Sequence, residues 1–246
     1  MALVKPTSSK LQHTNTPPSH GVKNVEEGVD IALRDLKLDS LDLYHMHWPV
    51  TEGHFGHKTE YLETWSAMSE LVRKGKTRHI GVSNFSPYQL ENLLNHTRHP
   101  PAVHQMELHP YLPQRDWIAW HEERGIHVTA YSPFAGTNPT YDKGEPPQLL
   151  ENEVLTSIAS ERDCTPAQVA LQWGLRRGTS VIPKSNHAER IAENFAALKC
   201  ELEDGDFERV ENLAEYHTRF NNPSKSWGVD LYDGLEDSRG KHRNHS

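Results

Sequence analysis

Apolar and polar positions alternate along this chain on two length scales. Short runs of aliphatic and β-branched residues at 41–47, 79–84, 103–107, 127–132 and 180–184 each end in polar residues, the pattern expected of buried parallel strands. The longer stretches between them space their apolar residues as a helix does. Several helix ends are readable. Asn24 precedes the stretch 25–36, Ser86-Pro87 opens one that runs to His96, and Thr165-Pro166 opens one through Leu175. Gly75 and Gly125 stand just beyond two others, where a left-handed closing residue is wanted. This alternation predicts an α/β fold, either a closed (β/α)8 barrel of the TIM type or a doubly wound sheet. No Gly-x-Gly-x-x-Gly occurs anywhere, which counts against the doubly wound choice.

The predicted strands all finish in chemistry-bearing residues: His47, Ser83 and Asn84, Gln105, Tyr131 and Ser132, Lys184 and Ser185. A (β/α) barrel assembles its active site at that end of its strands. Taken singly, a strand-end Asn or Ser is often a helix cap and a lone buried His a satisfied core residue. Five polar ends in succession favour a functional edge. The count of strands also matters, because these five and a sixth ending near residues 8–10 fall short of eight. About two β/α units are expected to be absent at the front. Residues 1–24, rich in Pro, Ser, Thr and His, offer at most one strand, at 2–9.

Composition narrows the classes. A chain of 246 residues, 35% hydrophobic, can bury one core, so a single domain is expected over 1–246, with an irregular stretch at 1–24 and a C-terminal tail at 217–246. The net charge of −8 and the lack of a long Lys/Arg block argue against nucleic acid or an anionic membrane as partner, while leaving room for a small anion. No apolar run approaches the ~18 residues of a membrane helix, and no basic and hydrophobic leader opens the chain. A cytoplasmic monomer is expected. Cys164 and Cys200 read as free thiols of a reducing compartment, neither of them a nucleophile. The 17 histidines lack the paired spacing of a zinc site, so no metal is expected.

Lys184 and Arg190 lie six apart, one at a strand end and the other in the first turn of a helix over 188–198. Both can face one anion. Ser185 and Asn186 add hydrogen-bond donors and the helix N-terminus adds partial positive charge, a suitable grip for a 2′-phosphate. Glu193 and Asn194, one turn on, are placed to receive the amino group of an adenine. The competing reading is a solvated amphipathic helix with ordinary surface charges.

The segment from Ile182 through Asn186, followed by 189–194, resembles the adenosine-phosphate clamp of the aldo-keto reductase superfamily. Segments 41–49, 76–85, 105–111 and 128–133 are similar, in order, to barrel strands of that family, and the likeness spans roughly residues 8–200. The resemblance implies that Ser83, Asn84 and Gln105 bind the nicotinamide carboxamide and that Tyr131 stacks on the ring. It implies that Ser132, Pro133 and Phe134 line the pyrophosphate. Ile182, Lys184, Ser185, Asn186, Arg190, Glu193 and Asn194 would hold the adenosine end, with NADP(H) favoured over NAD(H). His47 corresponds to the histidine that orients the substrate carbonyl, Trp48 to a wall of the substrate pocket, and Lys10 to the lysine beside the catalytic tyrosine.

The implied chemistry is hydride transfer to an aldehyde or ketone while a positioned acid protonates its oxygen. In the family that acid is a tyrosine ahead of the lysine, accompanied by an aspartate; here no tyrosine precedes Tyr44. Three accounts follow: a reductase whose gene product is longer or that keeps residual activity at best as written, a non-catalytic cofactor-binding regulator comparable to reductase-like channel subunits, or an inactive fragment. Substrate choice would fall to residues 51–58 and the tail after Tyr216, with Trp227 either a lid contact or part of a surface coil.

Overall fold

The computed structural model describes residues 22–50, 60–136 and 146–235. The expected strand at 2–9, Lys10 and the substrate loop at 51–58 lie outside the described residues. Five strands, β1 (Leu41–Met46), β2 (Thr77–Ser83), β3 (Val103–Glu107), β4 (His127–Tyr131) and β5 (Ser180–Val181), follow one another in a sheet of order β1-β2-β3-β4-β5. β1 runs parallel to β2 with Leu43 opposite His79, and β4 parallel to β5 with Thr129 opposite Ser180. Helices α1 (Val22–Leu36), α2 (Glu60–Arg73), α3 (Pro87–His96), α4 (Arg115–Glu122), α5 (Glu153–Glu161), α6 (Pro166–Arg176), α7 (Ala188–Ala196), α8 (Asp204–Glu211) and the single turn α9 (Ser224–Trp227) complete it. This is the parallel α/β sheet of a TIM-barrel type fold.

Local chemistry explains most boundaries. Ser86 and Thr165 each close a capping box on the backbone and side chain of Gln89 and Gln168, so α3 and α6 start where the sequence predicts. Gly75 and Gly125 have φ of 72° and 65°, the left-handed turn that needs glycine. Other boundaries differ: β1 and β4 each stop one residue early, and β2 spans Thr77–Ser83 rather than 79–84. α1 begins at Val22, before Asn24, which is an exposed residue of its first turn rather than its cap. β5 stops at Val181 instead of reaching Lys184, because Pro183 has no N–H for the ladder; Ile182 makes a last bond to the Ala130 carbonyl at 3.1 Å. α7 ends at Ala196 and gives way to a 3-10 turn over Ala197–Lys199.

Two compact units share the described residues, the first falling within 22–104 and 223–235 and the second within 105–222, so β3 begins in the first and ends in the second. The first has a core of Val25, Val29, Trp65, Met68, Leu71, Ile80 and Val82. Trp65 is fixed there by donating its indole N–H to the His99 carbonyl at 3.0 Å. The second has a core of Leu108, Leu155, Ile158, Val169, Trp173 and Val210. α6 lies so close to β5 that a Cβ at Gly174 would stand 2.7 Å from Val181 Cγ1. That approach fixes the strand from which the predicted clamp departs.

One expectation is overturned in the second unit. Cys164 and Cys200 are not free thiols but form a disulfide, 36 residues apart in sequence and 5.9 Å apart at Cα. The reason is tertiary: the chain passes out along α6, back through β5 and α7, and returns Cys200 to the start of α6, within the span a disulfide can bridge. Among the described residues no helix is long and apolar enough to cross a membrane, and no cluster of His, Cys, Asp and Glu has the geometry of a metal site.

Candidate functional site

In the first unit the chain leaves β1 and β2 through polar residues that bind one another. Asn84 follows β2 with φ of 59°, a strained left-handed conformation for a residue with a Cβ. From there its Nδ2 donates to the His47 carbonyl at 3.0 Å and to Ser83 Oγ at 3.1 Å. Ser83 and Asn84 are both buried, whereas His47 is exposed. The Trp48 ring meets Trp227 edge-on at 5.0 Å and Tyr232 at 6.4 Å. Trp227 therefore packs against the proposed substrate wall rather than lying in a surface coil. Tyr232, buried and at φ 67°, donates its hydroxyl to Asn84 Oδ1 at 3.4 Å.

Tyr44 and His45 take no part in this edge. A Cβ at Gly28 of α1 would lie 2.9 Å from the Tyr44 hydroxyl, so Tyr44 faces the α1 side. Burial pushes its pKa up to about 12, far from what proton donation at neutral pH requires. Burial likewise lowers the His45 pKa to about 4, against the opposing effect of its contact with the Val82 carbonyl at 3.3 Å. His45 is therefore neutral within the sheet.

In the second unit the ends of β3 and β4 differ in character from that of β5. Gln105 is half-buried, and Glu107, two positions on and so on the same face of β3, is fully buried. Tyr131 closes β4 and accepts a bond from Asn221 Nδ2 at 2.9 Å. Ser132 turns the chain with φ of 50° and Ala135 with 57°, so Ser132, Pro133 and Phe134 form a tight bend directly after the strand. Strained backbone at such a place is common where a ligand is gripped.

Beyond β5, the predicted clamp is solvent-facing. Ile182, Lys184, Asn186 and Arg190 are exposed, and neither Lys184 nor Arg190 forms an ion pair with another described residue. Ser185 Oγ accepts the His187 backbone N–H at 3.1 Å and so shapes the entry to α7, whose own cap residue, His187, makes no side-chain bond. Glu193 turns the other way: its Oε1 accepts the Thr165 hydroxyl at 2.6 Å and its carbonyl accepts Gln168 Nε2 at 3.0 Å. These bonds tie α7 to the start of α6, with Asn194 half-buried beside them.

Sequence reasoning missed Glu107, His109, Asn221 and Tyr232. The alternation of Gln105, Glu107 and His109 held a signal, since residues two apart share a strand face. Nothing local marked Asn221 or Tyr232, whose partners lie 90 and 148 residues away.

Comparison with known proteins identifies the family. A profile of the Aldo/keto reductase family matches residues 7–215. An uncharacterized oxidoreductase of Schizosaccharomyces pombe is 41% identical over 236 residues, covering 90% of this chain and 72% of the relative. An NADPH-dependent D-xylose reductase of Meyerozyma guilliermondii is 36% identical over 229 residues, covering 83% and 71%. The solved aldose reductase of Giardia lamblia superposes with a TM-score of 0.78 at 32% identity, covering 87% of this chain and 75% of that one. With its barrel-type strand order and a match over most of its length, the chain belongs to the aldo-keto reductase family.

Proposed function

We propose that this protein is an NADP(H)-binding oxidoreductase of the aldo-keto reductase family, with its 246 residues forming one domain that acts on a small aldehyde or ketone. The observation that carries the cofactor choice is the pair Lys184 and Arg190, exposed and without an ion-pair partner among the described residues. Two cations left open at the end of a strand and the start of a helix suit an added phosphate. The xylose reductase relative, NADPH-dependent by its name, supports the same choice.

A bound dinucleotide supplies the hydride, and the residues of this chain bind and orient. Lys184, Ser185, Asn186 and Arg190 take the 2′-phosphate; Glu193 and Asn194 take the adenine, with Ile182 beside them. Ser132, Pro133 and Phe134 line the pyrophosphate, and Tyr131 stacks on the nicotinamide, whose carboxamide falls to Ser83, Asn84 and Gln105. His47 orients the substrate carbonyl against Trp48, and the Lys10 ammonium stabilises the developing alkoxide. The proton is the weak point. Tyr44 is buried against α1 with its pKa raised to about 12, which favours a second reading in which the protein binds NADP(H) and turns it over slowly or not at all.

Titration of the purified protein with NADPH and with NADH, followed by cofactor fluorescence, tests the proposal. Arg190→Ala should weaken NADPH roughly tenfold or more, since a charged hydrogen bond is lost, and leave NADH almost unchanged. Equal losses for the two cofactors would refute the phosphate assignment. Binding without oxidation of NADPH by an added aldehyde would select the second reading.

A further inference from the structure

Glu107 and His109 are fully buried, and the chemistry above gives neither of them a task. A carboxylate held away from water needs donors around it. Glu107 has them: its Oε1 meets His109 Nε2 at 3.0 Å and the Phe220 backbone N–H at 2.8 Å, and its Oε2 accepts the Asn221 backbone N–H at 2.9 Å. Burial alone would raise its pKa, yet His109, Arg219 and the Phe220 amide together outweigh burial and hold it below the usual carboxylate range.

The same stretch is fastened at other points. Thr218 donates its backbone N–H to the Tyr111 carbonyl at 2.9 Å. The Phe220 ring lies 5.6 Å from His109, so close to Gly136 that a Cβ there would approach it to 2.6 Å. Residues 218–221 thus form a strap whose backbone is bonded to the strand ends. The strap delivers one side chain back to the sheet, Asn221, whose Nδ2 donates to the Tyr131 hydroxyl oxygen at 2.9 Å.

We propose that Asn221, held in place by Glu107, is a positioning residue for Tyr131. A tyrosine ring is tethered at Cβ and swings about χ1; a bond at its far oxygen removes that swing. The ring then presents a fixed face to the nicotinamide before the cofactor arrives, which lowers the ordering cost of binding. The inference rests on the NADP(H) reading above. It assigns Glu107 a remote part, acting through the strap rather than touching ligand.

The test compares two ligands by calorimetry: NADPH, and adenosine 2′,5′-bisphosphate, which carries the phosphate grip but no nicotinamide. Asn221→Ala and Tyr131→Phe should each weaken NADPH about three- to tenfold, the range for one lost hydrogen bond. The double variant should be no worse than either single, since both remove one interaction, and the bisphosphate should bind all of them equally. Additive losses, unchanged NADPH affinity in Asn221→Ala, or equal weakening of both ligands would overturn the proposal, the last because it marks general loosening. Tyr131→Phe keeps the ring and so reads the same bond should Asn221→Ala fail to fold. Wild-type protein that binds neither ligand would sink the cofactor reading itself; wild type that binds both, with Asn221→Ala indistinguishable from it, would sink only the positioning role.

Discussion

The strand ends of the second unit follow two opposite plans. At β3 and β4 the polar groups are buried or half-buried and bonded to one another: Glu107 with His109, Phe220 and Asn221, and Tyr131 with Asn221. At β5 the cations Lys184 and Arg190 face solvent, and so do apolar residues of α7 and of the turn after it, Ile191 at 54%, Phe195 at 71% and Leu198 at 55% exposure. The first plan serves a group that must not move. The second leaves both cations without an ion-pair partner among the described residues, as the proposed phosphate grip requires. What restrains α7 lies on its far side, in the Glu193 bonds to Thr165 and Gln168 and in the disulfide just past its end.

That contrast can be broken most severely at the disulfide. Replacing Cys164 and Cys200 with serine removes a cross-link over a separation of 36 residues and should cost about 3–4 kcal/mol, read as a lower urea midpoint. No difference between the variant and the oxidised wild type would mean that α7 is held by its hydrogen bonds alone. Glu107→Ala comes next, at about 2–4 kcal/mol, because two backbone N–H groups and a buried imidazole lose their acceptor. Arg190→Ala, at the open end, should change stability by less than about 0.5 kcal/mol. Similar losses in the two would erase the distinction drawn here.

The smallest effect is the dependence of the buried end on acidity. The folded-state pKa of Glu107 is lowered, so its contribution is fully present above the unfolded-chain value of about 4.3 and is lost as pH falls through the folded value. The stability advantage of wild type over Glu107→Gln should therefore be flat near neutrality and shrink below about pH 4. An advantage that grew with acidity would reverse the sign and show that the carboxyl is held protonated.

What could be read from the sequence divides along the same line. The β/α alternation, the caps Ser86 and Thr165 and the closing glycines 75 and 125 depend on neighbours within a few residues, and they were legible. The proposed clamp is equally local, since its parts all fall between Ile182 and Asn194. The buried end was not legible, because Glu107 reaches partners 113 and 114 residues away and no local pattern announces a strap that returns to a strand. The disulfide escaped for the same reason. Counting two cysteines says nothing about the path that brings them to 5.9 Å. The early stop of β5 is different in kind, since it follows from a local feature, the missing N–H of Pro183.

That short strand also bears on how the protein behaves at high concentration. The outer strand of a sheet invites pairing with another molecule in proportion to the row of unsatisfied amides it displays. β5 is two residues long and runs within two positions into a proline, so on this side the described sheet offers almost no template for a second chain to extend. Self-association that begins here would have to proceed through side chains rather than through a growing ladder of backbone bonds.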